Sequence, residues 1–266
     1  MKKISILHRK VVVLMKIAII TGASSGIGRE FVRQLETSEK FDEIWLIARR
    51  EDRLKLLAEE ISTPARILPL DLSKEASWEE FSALLAEIQP EISVLVNASG
   101  YGKFRAVAEM SLADQLGMID LNQKALVAVT HHALPYLATG ARVYQMASIS
   151  AFQPVPYIGV YAATKAFVLS YARALNVELR RRGIHVLAIC PFWVKTEFFD
   201  RAVSDDTVKK YTRYLTSERV VRTALRDMKR GKDVSVCGFR NRLQVLAVKL
   251  LPHTLIMKIW CKQQSL

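Results

Sequence analysis

The run Met15-Lys16-Ile17-Ala18-Ile19-Ile20-Thr21, followed by Gly22-Ala23-Ser24-Ser25-Gly26-Ile27-Gly28, decides how this chain is read. A short, nearly uninterrupted apolar stretch predicts a strand buried on both faces, as in a parallel sheet. The glycines that end it lie where helical spacing begins. Glycine there lets the backbone turn tightly and approach a pyrophosphate, whose charge is favoured at a helix N-terminus. The spacing is GxxxGxG rather than GxGxxG. It makes Gly22, Ser24, Ser25, Gly26, Ile27 and Gly28 candidates for holding a dinucleotide.

Outward from this junction the alternation recurs. Apolar runs at 17–20, 44–48, 67–70, 92–96, 143–147 and 186–190 are separated by stretches with helical apolar spacing, such as 29–37, 53–61 and 78–88. A seventh short strand is predicted at 233–237. Strands alternating with amphipathic helices imply βαβ crossovers. The expectation is one α/β domain, a doubly wound parallel sheet of about seven strands, over residues 15–238. Residues 1–14 read as an extension ahead of it, with Met15 as an alternative natural start, and residues 239–266 as a basic amphipathic helical tail.

With 50% hydrophobic and 24% charged residues, the chain has ample apolar surface to bury, which excludes disorder as its main state. Cys190, Cys237 and Cys261 form no CxxC pair. A disulfide scaffold or a structural metal site is therefore not expected, and a reducing compartment, the cytoplasm, fits. No uncharged apolar run reaches the roughly 18 residues of a membrane-spanning helix. The net charge is +13, but from Lys209 onward fourteen lysines and arginines face three acidic residues, so the excess belongs to one end. No nucleic-acid motif accompanies it, and nucleic acid is not an expected partner.

The second predicted strand ends at Ala48-Arg49-Arg50. An NAD site would carry an acid there for the ribose 2′-hydroxyl; an arginine instead pairs with a 2′-phosphate. Arg49, with Ser24 and Arg29 beside it, therefore favours NADP(H) over NAD(H). Asp71-Leu72 and Asn97-Ala98 follow the third and fourth strands, at the carboxyl edge where such sheets bind ligands. Asp71 suits an adenine amino group. Asn97 suits either a structural clamp or the cofactor cleft.

Tyr161 and Lys165 stand four residues apart, on one face if the segment is helical. A nearby cation stabilises a phenolate and lowers its pKa, making the tyrosine a proton donor or acceptor at a carbonyl oxygen. Ser148, just past the fifth strand, can bond the same oxygen.

Taken together, TGxxxGxG at 21–28, Asn97-Ala98-Ser99-Gly100, Asn122, Ser148 and YxxxK at 161–165 resemble the short-chain dehydrogenase/reductase family over residues 16–237. The resemblance implies a Rossmann-like domain and hydride transfer to or from nicotinamide. It implies Tyr161 as acid/base, Lys165 lowering its pKa and holding the nicotinamide ribose, and Ser148 orienting the carbonyl. Asn122 would hold a water linking Lys165 to solvent, and Thr196, after Pro191, would bind the carboxamide. It also implies a homo-oligomer, dimer or tetramer. The sequence departs from the pattern at Ala98 and Ser99, where Asn and Ala are usual, and at Phe192, where glycine is usual.

Phe192 and Trp193 read either as an aromatic wall beside the nicotinamide or as core. Glu197, Phe198, Phe199 and Tyr211 are lid candidates, with Tyr101, Phe104, Phe152, Val155 and Tyr157 as the opposite wall. That lining points to a bulky hydrophobic ketone or alcohol, such as a steroid or bile acid. A 3-oxoacyl or general carbonyl reductase is the alternative, and a non-catalytic NADP(H) sensor the alternative of another class. In the tail, Leu243, Leu246, Ala247 and Leu250 share one helical face, and Pro252 starts a second segment with Leu255, Ile256, Ile259 and Trp260. Three readings stay open for it: a lid or subunit contact, a peripheral membrane surface, and a solvated basic face.

Overall fold

The structure, a computed structural model, describes residues 15–203, 207–208 and 213–266. The extension at 1–14 and the lid candidate Tyr211 lie outside the described residues.

The chain runs β1 (Lys16–Thr21), α1 (Gly26–Ser38), β2 (Glu43–Ile47), α2 (Glu51–Glu60), β3 (Ala65–Leu68), α3 (Glu75–Ile88) and β4 (Glu91–Asn97). After a loop come α4 (Leu112–Ile119), a π-helical turn at Asp120–Lys124, and α5 (Ala125–Ala133). The second half continues with β5 (Leu137–Met146), α6 (Gly159–Glu178), β6 (His185–Ile189), α7 (Phe198–Ala202), α8 (Ser217–Lys229) and β7 (Val234–Ser235). The strands form one parallel sheet in the order β3-β2-β1-β4-β5-β6-β7. This is the doubly wound Rossmann-like arrangement. Strand order reverses at β1, so the crevice lies outside the carboxyl ends of β1 and β4.

The period of two along each strand feeds both faces. Ile17, Ile19, Trp45 and Ile47 pack with Phe81 of α3, Val129 of α5 and Val168 of α6. Ala18, Ile20, Ile44 and Leu46 pack with Phe31 of α1, Leu54 of α2 and Val221 of α8. Burial on both faces is why these strands read as unbroken apolar runs.

Several boundaries differ from expectation, β7 being two residues long, Val234–Ser235, where 233–237 was expected. β3 ends at Leu68, and Leu70 and Leu72 are buried beyond the ladder. β5 starts at Leu137 rather than 143, because its first half is half-exposed and lacks an apolar run. That half contains Gly140 at φ +81°, and the β4–β5 register shifts between Ile92 and Val94.

The tail forms α9 (Phe239–Leu250) and α10 (His253–Gln264), separated at Pro252. Val245, Val248 and Ile256 are buried, while Leu243, Leu246 and Leu250 are exposed. The face that the spacing singled out is thus the solvent face. α9 is tied down by Arg242 Nε to the Val236 carbonyl at 2.9 Å and Asn241 Nδ2 to the Cys237 carbonyl at 2.7 Å. No described helix is long and apolar enough to cross a membrane.

Candidate active site

One cleft of about 1050 Å³ runs along the carboxyl edge of the sheet. Its phosphate end is built by the β1–α1 turn. Gly22 sits at φ +70°, and a Cβ there would come within 2.8 Å of the Ala98 carbonyl group. Its N–H donates to the Ile47 carbonyl at 2.8 Å. Thr21 Oγ1 accepts from the N–H groups of Ala98 and Ser99, both at 3.1 Å, locking β4's end beside β1's. A Cβ on Gly28 would overlap the Gly22 carbonyl, so the helix start can approach the turn only as glycine. Gly22, Ser24, Ser25, Gly26, Ile27 and Gly28 all line the cleft. The free N–H groups of a helix N-terminus and a close-approach backbone fit a pyrophosphate.

Beyond β2 the cationic cradle differs from the one expected. Arg49 lines the cleft, but Arg50 is the residue bonded to Ser24, Nη2 to Oγ at 3.1 Å. Arg50 also pairs with Glu197 at 2.8 Å, and Arg53 pairs with the other oxygen of Glu197 at 2.5 Å. Glu197 therefore bridges two guanidiniums at the cleft, and its carboxyl is held below the usual range, first by the Arg50 hydrogen bond. Arg53 and Glu197 escaped the sequence reading as cradle residues. The Arg50-x-x-Arg53 spacing at the start of a helix was the available signal. Asp71 and Leu72 line the same end. Burial raises the Asp71 pKa, but two bonds from Ser73, at 3.1 and 2.7 Å, and the field of Arg49 outweigh it and leave it lowered.

Asn97 is a correction. It does not line the cleft: its Nδ2 donates to Thr130 Oγ1 at 3.0 Å and to Gln145 Oε1 at 3.1 Å, in the buried layer between β4, β5 and α5. The side-chain amide therefore serves as a clamp between strands and helix. Ala98, Ser99 and Gly100 form the cleft floor instead.

At the reacting end, Tyr161 and Lys165 project from α6, Ser148 from the end of β5, and Pro191 and Thr196 from the segment after β6; all line the cleft. Lys165 Nζ donates to the Met146 carbonyl at 2.8 Å and lies 5.6 Å from the centre of the Tyr161 ring. The expected lowering of the Tyr161 pKa is not what the surroundings produce. Burial pushes the phenol up to about 12, with Ser148 pulling it down by hydrogen bonding and Cys190 pushing it up. Burial also brings Lys165 down to about 8. Desolvation is the leading cause for both groups, disfavouring the phenolate and the ammonium alike.

Asn122 is wholly buried in the π-helical turn. Its Nδ2 donates to the Tyr101 carbonyl at 2.9 Å and to Thr164 Oγ1 at 3.0 Å, and its Oδ1 accepts from the Tyr101 N–H at 3.0 Å. It fixes the loop after β4 and the residue preceding Lys165. A Cβ on Gly100 would lie 2.9 Å from Asn122 Oδ1 and 3.3 Å from Lys165 Nζ, so the two groups converge at a glycine.

Around Tyr161 stands a ring of aromatic and aliphatic side chains. Phe198 lies 5.5 Å from the Tyr161 ring, Trp193 lies 5.7 Å from both Phe192 and Phe199, and all four line the cleft with Tyr101, Val155 and Ile158. Phe192 and Trp193 are therefore wall, not core. Phe104, Phe152 and Tyr157 do not line it. Phe104 is buried behind Trp193 and Phe198, Phe152 lies under Lys249, and Tyr157 packs in the cluster around Phe104. Trp260 of α10 and Gln244 of α9 reach the cleft from the tail, in keeping with the lid among the three readings left open for it.

The sequence profile of the short chain dehydrogenase family matches residues 16–207. Sulfoacetaldehyde reductase 2 of Chromohalobacter salexigens is 34% identical over 248 residues, covering 88% of this chain and 94% of that protein. Serine 3-dehydrogenase of Agrobacterium fabrum is 33% identical over 187 residues, covering 68% and 72%. The solved short-chain dehydrogenase from Sphingobium yanoikuyae in complex with NADPH superposes with a TM-score of 0.76 at 27% identity, covering 88% of this chain and 92% of that one. The glycine turn, the parallel sheet and these matches agree: the chain belongs to the short-chain dehydrogenase family and is a nicotinamide-dependent oxidoreductase of that type.

Proposed function

We propose that the chain is an NADP(H)-dependent carbonyl reductase that interconverts a bulky hydrophobic ketone and its secondary alcohol. The observation that carries this reading is the part-buried Tyr161, with Lys165 and Ser148 buried beside it, opening onto a wall of Phe198, Trp193, Val155 and Ile158. The NADP(H) preference rests on Arg49, Arg50 and Arg53 at the phosphate end, and on the NADPH complex of the Sphingobium relative.

When bound, the dinucleotide supplies the hydride. The chain supplies the proton and the orientation. A phenol with a pKa near 12 is protonated at neutral pH, so Tyr161 enters reduction as a donor to the carbonyl oxygen. Ser148 bonds the same oxygen and steadies the charge developing there. The Lys165 ammonium favours the phenolate left after proton transfer; its bond to the Met146 carbonyl holds it, and Asn122 fixes the preceding residue, Thr164. Thr196, whose methyl group lies beside Gly26, would hold the cofactor's carboxamide.

A 3-oxoacyl or small-aldehyde reductase is the second reading, favoured by the sulfoacetaldehyde reductase match over most of both chains. NADPH oxidation against keto-steroids, keto-bile acids, 3-oxoacyl thioesters and sulfoacetaldehyde, with NADH in parallel, decides. Preferential turnover of cyclic ketones supports the first reading, and preferential turnover of sulfoacetaldehyde overturns it. NADPH binding without turnover of any class supports a sensor.

A further inference from the structure

We infer that α9 and α10 form a docking face for an anionic lipid bilayer, set beside the mouth of the cleft. Eight of the fifteen large apolar side chains exposed among the described residues lie in residues 239–266. Phe239, Leu243, Leu246 and Leu250 fall four, three and four residues apart, one continuous stripe along α9; Leu255 and Ile259 are exposed four residues apart on α10. Phe239 is 72% and Leu250 75% exposed, so these are outward-facing side chains and not the edges of a buried face.

The same segment carries Arg240, Arg242, Lys249, Lys258 and Lys262 and no aspartate or glutamate. This charge selects among occupants. A second copy meeting this face across a two-fold axis would set Arg240, Lys258 and Lys262 against the same cations, with no carboxylate in the segment to pair them. Nucleic acid would neutralise the cations but leave the leucine stripe in water. An anionic bilayer satisfies both, taking the stripe below its headgroups and the cations among them. Each helix has twelve residues, too few to span, so both lie along the surface.

The face is fixed to the catalytic body. Val245, Val248 and Ile256 are buried against it, and the Trp260 indole N–H donates to the Pro156 carbonyl at 3.0 Å while its ring lines the cleft. Docking therefore brings the cleft mouth to the membrane, where an apolar ketone would be concentrated; this last step rests on the proposed reductase activity, and docking itself does not.

The test is sedimentation of the full chain with vesicles of phosphatidylcholine alone or containing phosphatidylglycerol. Binding to the phosphatidylglycerol vesicles, weakened by added salt, is expected. The exposed pair Leu246→Glu/Leu250→Glu should lower partitioning by ~10-fold or more while circular dichroism and NADPH affinity stay unchanged. Arg240→Gln/Lys258→Gln should reduce it less and flatten the salt dependence. No binding by the intact chain at low salt overturns the proposal, as does equal binding by the leucine pair variant. Self-association abolished by that variant assigns the face to a second copy, and tighter binding to duplex DNA than to vesicles assigns it to nucleic acid; either overturns docking. Because vesicle binding needs no turnover, failure of the reductase reading leaves this result legible. If both hold, a lipophilic ketone in phosphatidylglycerol vesicles is reduced faster by the intact chain than by the leucine pair variant.

Discussion

The two ends of the cleft use ionisable groups in opposite ways. At the phosphate end, Arg50, Arg53 and Glu197 each keep about two fifths of their side-chain surface in water. Their charges are screened, their pairing is exchangeable, and each contact is worth little alone. At the reacting end, Lys165 is shut in and Tyr161 opens only onto the cleft, and desolvation moves the tyrosine pKa to about 12 and the lysine pKa to about 8. A single substitution there changes a protonation state rather than an affinity. The open end is suited to selecting among dinucleotides, the closed end to transferring a proton.

The sharpest way to break this comparison is Tyr161→Phe. Removing the only proton donor proposed at the carbonyl should cut the turnover number at least ~10³-fold, with NADPH affinity changed less than about threefold. Single-turnover kinetics with fluorescence titration of NADPH measures both. A variant that keeps a tenth of wild-type turnover would remove Tyr161 from the proton path.

Lys165→Met should abolish turnover nearly as fully while stabilising the fold. The ammonium is buried with the Met146 carbonyl as its recorded partner, and its pKa is depressed from 10.5 to about 8. Between those values the unfolded chain binds the extra proton, so this group's contribution to stability rises with pH from about 8 to 10.5 and is a penalty below that window. At pH 7 its replacement should raise the thermal midpoint by about 3 °C or more, read by differential scanning calorimetry. In the intact enzyme the sign for activity is opposite. Carbonyl reduction should fall as pH rises through about 8, as the ammonium loses its charge, while Tyr161 stays protonated until about 12. A pH–rate profile flat from 7 to 10, at saturating NADPH and substrate, would contradict a depressed lysine pKa.

These reacting-end residues were also the ones legible in sequence, and the reason is spacing. Tyr161 and Lys165 are neighbours on one helix, and the glycine turn is contiguous, so local pattern carries them. Asn97 stayed open between clamp and cleft because its partners, Thr130 and Gln145, lie 33 and 48 residues away. Arg50 was passed over for Arg49 because Ser24 and Glu197 are 26 and 147 residues off. Phe104, Phe152 and Tyr157 illustrate a second limit: an aromatic residue near a site packs equally well behind the wall as in it. In the tail, the exposed stripe through Leu243, Leu246 and Leu250 and the buried pair Val245 and Val248 have the same helical spacing. Periodicity gives the existence of an apolar face, and only the partner surface says which face is covered.

At the open end effects should be smaller and ranked. Arg50→Ala should weaken NADPH binding ~10-fold or more, since it removes a guanidinium already aimed at Ser24. Arg49→Ala should cost less, and neither should alter NADH affinity beyond about twofold. Isothermal titration with both dinucleotides makes the comparison. If Arg49→Ala is the more damaging, the residue following the second strand carries the 2′-phosphate as first read, and Arg50 serves the Glu197 bridge.

Glu197→Gln should have the smallest effect and the opposite sign. On the proposed NADP(H) reading, a 2′-phosphate would compete with the Glu197 carboxylate for the same two guanidiniums, because Glu197 occupies Arg50 at 2.8 Å and Arg53 at 2.5 Å. The arginines hold its pKa down, so it stays ionised across the working range and always competes. Neutralising it should therefore tighten NADPH about two- to fivefold and leave NADH unchanged, a modest gain because all three groups are half-solvated. Glu197 immediately precedes α7, whose Phe198 faces Tyr161 across the cleft. The bridge thus joins the open end to the closed one, and the substrate KM of the same variant measures how far. A KM shifted with NADPH but not with NADH as cofactor would show that freeing the arginines also releases the aromatic wall. Weakened NADPH binding would mean instead that Glu197 positions Arg50 and Arg53, and that the phosphate joins the bridge rather than replacing it.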